Sequence, residues 1–379
     1  MGKSLNGKEL GKGISQRKDG RYQYRFVNRF GKRQGNSTKT LNEAKRRLKE
    51  EQAADERKLN VANPNMTLDE WYDVWMNTCK ANCRNSTKET YASHYRRIQP
   101  HLGFMKLSKL TLIHLQQVFN ELRSDNERKN SKKILVDMLD KAIDSDLLVK
   151  NVAKQITTEI SKEEKLERRV LTRKEAELFL KEAETSFYRN LFEVAIDTGL
   201  RIGELTALTW ADVDFKERVI HVTHSLCYFR KDNRYVFEMH APKTQNSKRD
   251  VPLTQRAYEA LKRQRVKKLQ IDLKGLNAPS GCENLVFVTK NNRPTQQFIV
   301  KEGIKACVQR IQKKHPEFEM FSPHCFRHTF ATRAIENGLP PKTVQALLGH
   351  SSLQMTMDLY CHVTDDTLFD AIKLMDKAM

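Results

Sequence analysis

His324-Cys325-Phe326-Arg327-His328 is followed by Leu348-Gly349-His350-Ser351-Ser352 and then by Tyr360, which puts imidazoles, a guanidinium and a phenol in one short stretch of chain. That set suits attack on a phosphodiester. The ester carries one negative charge and acquires a second in its five-coordinate state, so two fixed cations aimed at the non-bridging oxygens stabilise it. Arginine, planar, bidentate and always charged, serves best. A phenol of ordinary pKa, about 10, is ionised in roughly one molecule per thousand at neutral pH and needs a base or a strong positive field. The departing 5′-alkoxide, whose conjugate acid lies near about 15.7, is a worse leaving group still, so attack runs uphill unless a proton is delivered; a lysine can deliver it. Tyr360 is the only tyrosine beyond Tyr258, which leaves one candidate for a phenolic nucleophile here.

Two further segments join this stretch: Thr198-Gly199-Leu200-Arg201-Ile202-Gly203-Glu204-Leu205 and Lys243-Thr244-Gln245-Asn246-Ser247-Lys248-Arg249-Asp250-Val251-Pro252. In chain order the four segments resemble the boxes of the tyrosine recombinase (phage integrase) family, and with the N-terminal region described below they resemble conjugative-transposon integrases. The resemblance implies that Arg201 and Arg327 clamp the scissile phosphate while Tyr360 attacks it to leave a 3′-phosphotyrosine. It further implies that Lys243 protonates the 5′-oxygen from a β-hairpin, that His324 acts as acid and base, and that His350 holds the phosphate or orients the nucleophile. Glu204 lies at the i, i+3 spacing from Arg201 that lets its carboxylate hold the guanidinium in place. Two departures from the family pattern stand out. Phe326 replaces an aliphatic residue, which reads as a packing swap, and Tyr360 lies ten residues after His350, one more than in many relatives, which asks for a slightly different loop.

The 379 residues carry a formal net charge of +21. Such an excess repels itself unless phosphates neutralise it, so nucleic acid is the expected partner rather than a membrane. No apolar run reaches the length of a membrane-spanning helix, and the basic N-terminus has no apolar core of a signal peptide, so a cytoplasmic protein is expected. Asn6 stands where an N-myristoylation signal wants Ser or Thr. Seven scattered cysteines read as free thiols in a reducing compartment. Cys79 and Cys83 lack a second ligand pair, and His221 and His224 fall on opposite sides of an expected strand, so no metal and no cofactor are expected.

Residues 1–60 hold 17 Lys/Arg against 7 Asp/Glu, a net of +10 that marks a nucleic-acid arm. Within them Arg21–Phe30 alternates with period two: Tyr22, Tyr24, Phe26 and Phe30 share one face, Arg21, Gln23, Arg25 and Arg29 the other. Turn signals at Asp19-Gly20 and Gly31–Gly35 make this the centre of a three-stranded sheet. A capping box, Thr40 with Glu43, opens a helix that covers the aromatic face. The cationic face suits the major groove. From 64 to 154 the pattern is helical, with capping boxes at Thr67/Glu70 and Ser86/Glu89 and a start at Thr111. Trp71, Trp75, Leu115, Val118 and Phe119 read as its core, while Arg84, Lys88, Arg96 and Arg97 are available to a DNA backbone. Residues 155–170 read as a linker.

Thr172 with Glu175 then opens the part spanning 166–379, helical with strands at Val219–Thr223, Val236–Met239 and Asp250–Leu253, the first two joined by Arg230–Arg234. The expected fold class is therefore multidomain α+β: a small three-stranded β-sheet plus helix (1–60), a helical core-binding bundle (64–154), and a mainly α catalytic domain with a small antiparallel sheet (166–379). The resemblance adds arm and core sites on double-stranded DNA, a homo-tetramer in which the helix at 365–375 docks its Leu368, Ile372 and Met375 stripe on a neighbour, and an accessory excision factor. Three other classes stay open: a type IB topoisomerase, a catalytically silent DNA-binding regulator, and a metal-dependent nuclease or transposase, for whose acidic ligand cluster no convincing spacing is found.

Overall fold

The computed structural model describes residues 2–56, 62–158, 169–231, 234–241 and 247–357. The chain forms two compact units, Met1–Glu164 and Lys165–Met379.

The first unit begins with β1 (Gly2–Lys3) and β2 (Glu9–Gly11), a short antiparallel pair. An antiparallel sheet of β3 (Ile14–Gln16), β4 (Tyr22–Val27) and β5 (Arg33–Thr38) follows, with β4 in the centre. Helix α1 (Leu41–Glu56) lies over it, and Thr40 Oγ1 accepts from the Glu43 N–H at 3.3 Å, one of the two bonds of a capping box. Tyr24, Ala44, Leu48, Leu10 and Ile14 make the buried core, with Tyr22 and Phe26 against it. Period-two alternation thus sorts β4 as expected, but only as far as Val27. Phe30 lies beyond the strand in the turn around Asn28, whose side chain accepts from the Phe30 and Lys32 N–H groups.

Helices α2 (Leu68–Thr78), α3 (Asn85–Leu102), α4 (Leu112–Glu121) and α5 (Asp125–Asp144) form a bundle around Trp71, Trp75, Leu115, Phe119, Leu135 and Met138. Thr67 and Glu70 make a complete capping box and Thr111 caps α4. The box expected at Ser86/Glu89 is absent: α3 starts two residues earlier, with Arg84 at its N-cap and no side-chain cap. The expected linker also starts too early, since Ile156 is buried in the bundle core and its carbonyl accepts from Lys132 Nζ at 2.7 Å.

The second unit opens with α6 (Arg173–Glu182), α7 (Arg189–Thr198) and α8 (Ile202–Ala207), followed by β6 (Val213–Asp214) and β7 (Val219–Val222). A hairpin of β8 (Ser225–Lys231) and β9 (Arg234–His240) follows, then β10 (Arg249–Pro252) and the helices α9 (Gln255–Asp272), α10 (Gln297–Ile311), α11 (His324–Glu336), α12 (Pro341–Leu348) and α13 (Gln354–Met357). Strand β8 was not foreseen, because Ser225–Lys231 mixes polar and apolar residues on both faces. The sequence around 230–234 joins β8 to β9, whereas β7 pairs with β10 and β6 in a sheet of order β10-β7-β6.

Phe326 sits at the hub of the core, fully buried with its ring 5.4, 5.6 and 5.8 Å from those of Phe321, Phe179 and Phe192. An aromatic there meets Phe321 edge-on and Phe179 and Phe192 at tilted angles, which accounts for the departure from an aliphatic side chain. Phe326→Ala should therefore cost about 3–5 kcal/mol, read as faster hydrogen exchange of the α11 amides and a lower urea midpoint for the second unit, whereas Phe326→Leu should cost well under half of that.

Candidate active site

Helix α7 ends at Gly199, whose φ of 60° is the left-handed conformation, and two residues later Arg201 stands at the N-cap of α8. A side chain at Gly199 would be strained by that φ, and its Cβ would meet the Phe330 ring at 2.6 Å, so the turn needs glycine. It delivers two things: the Gly199 carbonyl, and an arginine at a helix start. Glu204, in the first turn of α8, accepts from the Arg201 backbone N–H through Oε2 at 3.0 Å and from Arg201 Nη1 through Oε1 at 2.8 Å.

Arg249, which sequence reasoning left without a role, fills the other side of the same carboxylate. Its Nη2 lies 2.8 Å from Glu204 Oε2 and its Nη1 3.2 Å from Oε1, and both side chains are almost wholly buried. Burial alone would raise the Glu204 carboxyl; the hydrogen-bonded Arg249, followed by Arg201, more than offsets it and holds the group below the usual carboxylate range. The only early sign of Arg249 was its place in the segment that begins at Lys243.

Arg327 projects from the first turn of α11, three residues after His324, and is 3% exposed. Its Nη1 donates to the Gly199 carbonyl at 2.9 Å and its Nη2 to the Leu348 carbonyl at 2.7 Å. The carboxyl end of α12 in fact receives three arginines on successive carbonyls: Arg249 Nε on Leu347 at 2.5 Å, Arg327 on Leu348, and Arg201 Nη2 on Gly349 at 3.1 Å. Those carbonyls have no partner within the helix and carry the negative end of its dipole, so cations gather there naturally. Gly349, with φ 63°, closes the helix. Burial, then the neighbouring Arg201, pushes Arg327 down to about 9, which leaves it a cation at neutral pH.

His350 follows directly and is buried, with Nδ1 2.9 Å from Thr356 Oγ1 on α13. Burial first, then Arg327, Arg201 and Arg249, pushes it down to about 4, so it is neutral at pH 7. Thr356 gave no sequence signal, since nothing in its spacing marks it as a partner. His324 stands exposed at the start of α11, its ring edge-on to His328 at 4.6 Å. Lys243 and Tyr360 lie outside the described residues, as does the segment 365–379. Three guanidiniums around one carboxylate leave a surplus positive charge, which is what an incoming phosphate requires.

In the first unit, Arg21 and Arg25 are exposed, and Gln23 and Arg25 share the open face of the sheet with Ser15, Arg33 and Ser37, residues that face one another across the ladders or one pair along. Arg29 is placed differently. Its guanidinium packs over the Phe30 ring at 4.5 Å and pairs with Asp146 at 3.0 Å. On the bundle, Arg84 stands at the N-cap position of α3, Lys88 Nζ donates to the Ala81 carbonyl at 2.7 Å, and Arg96 and Arg97 pair with Glu89 and Glu127. His221 pairs with Asp250 at 2.7 Å across β7 and β10, and Cys79 and Cys83 are free thiols. Among the described residues no group of His, Cys, Asp or Glu could hold a metal ion, and no helix is long and apolar enough to cross a membrane.

A family model described as "Phage integrase family" matches residues 169–367, and one described as "Phage integrase, N-terminal SAM-like domain" matches residues 67–123. A tyrosine recombinase XerC-like protein of Caldanaerobacter subterraneus subsp. tengcongensis is 30% identical over 358 residues, 89% of this chain and 90% of the relative. The transposase from transposon Tn916 of Enterococcus faecalis is 27% identical over 403 residues, 98% of this chain and 96% of the relative. Among solved structures, the Tn1549 transposon integrase in complex with transposon right end DNA is similar with a TM-score of 0.68 and 26% identity, covering 81% of this chain and 99% of that one.

The depressed His350 has a consequence for stability. Its folded value, about 4, lies below the ordinary 6.5, so the unfolded chain binds the proton more readily and stability is present above about 6.5 and lost as pH falls toward about 4. The loss should amount to roughly 3 kcal/mol. Urea midpoints measured across that window should fall with pH for the native chain and lose this component in His350→Asn.

Proposed function

This chain belongs to the phage integrase family, the tyrosine recombinases, and we propose that it breaks and rejoins double-stranded DNA at specific sites, as the integrase of a mobile element, through a 3′-phosphotyrosine. The observation that carries the reading is the cluster in which Arg201 and Arg327 are held on backbone carbonyls, beside the Glu204 carboxylate that Arg201 shares with Arg249. Both side chains keep more N–H donors than those bonds use, and these take the non-bridging oxygens of the scissile phosphate.

The Tyr360 oxygen attacks phosphorus and gives its proton to His324; the bond from phosphorus to the 5′-oxygen breaks, and Lys243 supplies the proton that the departing oxygen needs. His350, neutral and anchored by Thr356, donates a hydrogen bond to the phosphate rather than a charge. The phosphotyrosine retains the energy of the broken ester, so a new 5′-hydroxyl rejoins the strand by the reverse steps and no nucleotide cofactor is consumed.

The domain division at 1–60, 64–154 and 166–379, with the bundle extended to Ile156, separates two kinds of DNA contact. The sheet of the first part holds an arm site through Arg21, Gln23 and Arg25, now joined by Arg33, while the bundle and the catalytic part clamp the core site. Likeness to the Tn916 transposase along nearly the whole chain supports a mobile element over a chromosomal role. Assembly on DNA as a homo-tetramer, exchange of the segment 365–379 between neighbours, an accessory excision factor and a cytoplasmic location belong to the same reading.

The test is a nicked duplex that traps cleavage. A covalent protein–DNA adduct should form with the native chain and vanish in Tyr360→Phe, and Arg201→Ala or Arg327→Ala should slow its formation on the order of 100-fold or more. Absence of any adduct would leave a DNA-binding regulator, and relaxation of supercoils without strand exchange between two duplexes would leave a topoisomerase.

A further inference from the structure

Arg249 belongs to the arginine cluster, yet its donors are already engaged. Two parallel N–H groups occupy both oxygens of Glu204, Nε donates to the Leu347 carbonyl, and Nη1 also reaches the Ser247 carbonyl at 3.2 Å. The fork that could grip a phosphate is filled by a carboxylate. Arg249 is moreover the first residue of β10, paired with Val222 of β7, so a sheet ladder fixes the root of its side chain.

Through these bonds one side chain ties β10 to α8 and to the carboxyl end of α12. The Glu204 carboxylate accepts four hydrogen bonds, two from Arg201 and two from Arg249. Arg201 contributes one from its backbone and one from its side chain, which leaves the carboxylate plane to Arg249. Removing Arg249 takes away two of the four bonds that fix the carboxylate, those that anchor it to β10, and leaves the orientation of the Arg201 guanidinium to its own bonds with Glu204 and Gly349.

We infer that Arg249 is a positioning residue for phosphoryl transfer: by orienting Glu204 it aims the Arg201 guanidinium at the scissile phosphate, and it touches no reacting atom itself. The inference rests on the reading of Arg201 as a phosphate clamp.

Three versions of the nicked duplex separate the roles. The first has an ordinary scissile phosphodiester. The second has a methylphosphonate there, with one charge fewer to neutralise. The third has sulfur as the 5′-bridging atom, a leaving group that needs no proton. Single-turnover cleavage is measured at saturating full-length protein, and affinity for an intact duplex separately. Arg249→Lys, which keeps the charge and loses the fork, should slow diester cleavage on the order of 100-fold with duplex affinity unchanged. Its deficit should shrink on the methylphosphonate, as that of Arg201→Ala does, and persist on the sulfur substrate, where Lys243→Ala recovers.

Glu204→Gln, which keeps the shape and loses the charge, should follow the same pattern and covers the case in which Arg249 variants fold poorly. Native-like cleavage by Arg249→Lys, recovery on the sulfur substrate as complete as that of Lys243→Ala, or a parallel loss of melting temperature and duplex affinity in both variants would each overturn the inference. Undiminished diester cleavage by Arg201→Ala would instead overturn the clamp reading.

Discussion

Like charges resist being gathered in a place that excludes water. Two guanidiniums about 4 Å apart repel by roughly 4 kcal/mol at the effective dielectric of a protein site, and this protein gathers Arg201, Arg249 and Arg327 within one neighbourhood. What makes the gathering tolerable is the buried Glu204 carboxylate, which accepts from two of the three, together with the carbonyls of Leu347, Leu348 and Gly349, which accept from all three. One full negative charge and a set of dipoles hold three positive ones and stop short of neutrality. The remainder is available to an anion that arrives later, with little reorganisation left for the moment of reaction.

The surrounding architecture follows from that demand. Carbonyls become available only where a helix ends, so α7 and α12 both terminate in a left-handed glycine beside the cluster. The arginines enter from three different roots, a helix N-cap, the first residue of a strand and the first turn of a helix. No local stretch of chain could supply those directions alone. The aromatic hub around Phe326 sits immediately before Arg327 on α11, so the residue that packs the core and the residue that serves the site are adjacent and share one rigid element.

The first unit solves a simpler problem, that of giving a sheet one dry face and one charged face. Period-two alternation does this for β4, where Tyr24 is buried under α1 and Arg25 faces outward. The pattern stops being informative where the chain turns. Arg29 continues the alternation on paper, but the backbone bends around Asn28 and the guanidinium finds Asp146 instead. Arg96 and Arg97 likewise lie beside carboxylates of their own bundle.

Residue types and local spacing were enough to determine the α+β class, the caps at Thr67, Thr111 and Thr172, the core positions of the bundle and the partnership of Arg201 with Glu204, because each depends on contacts within a few residues or on a periodicity of one element. The presence of strand β8, the pairing of β10 with β7, the burial of Ile156, Arg249 as second partner of Glu204, and Thr356 beside His350 were decided only by the tertiary structure. The Arg249 contacts, the pairing of β10 with β7 and the burial of Ile156 join chain segments whose meeting has no local cause: a hydrogen bond between Arg249 and Leu347 spans 98 residues, and its geometry exists only once the sheet and the helices have packed. Local physics names the chemical groups; long-range packing chooses which of them face one another.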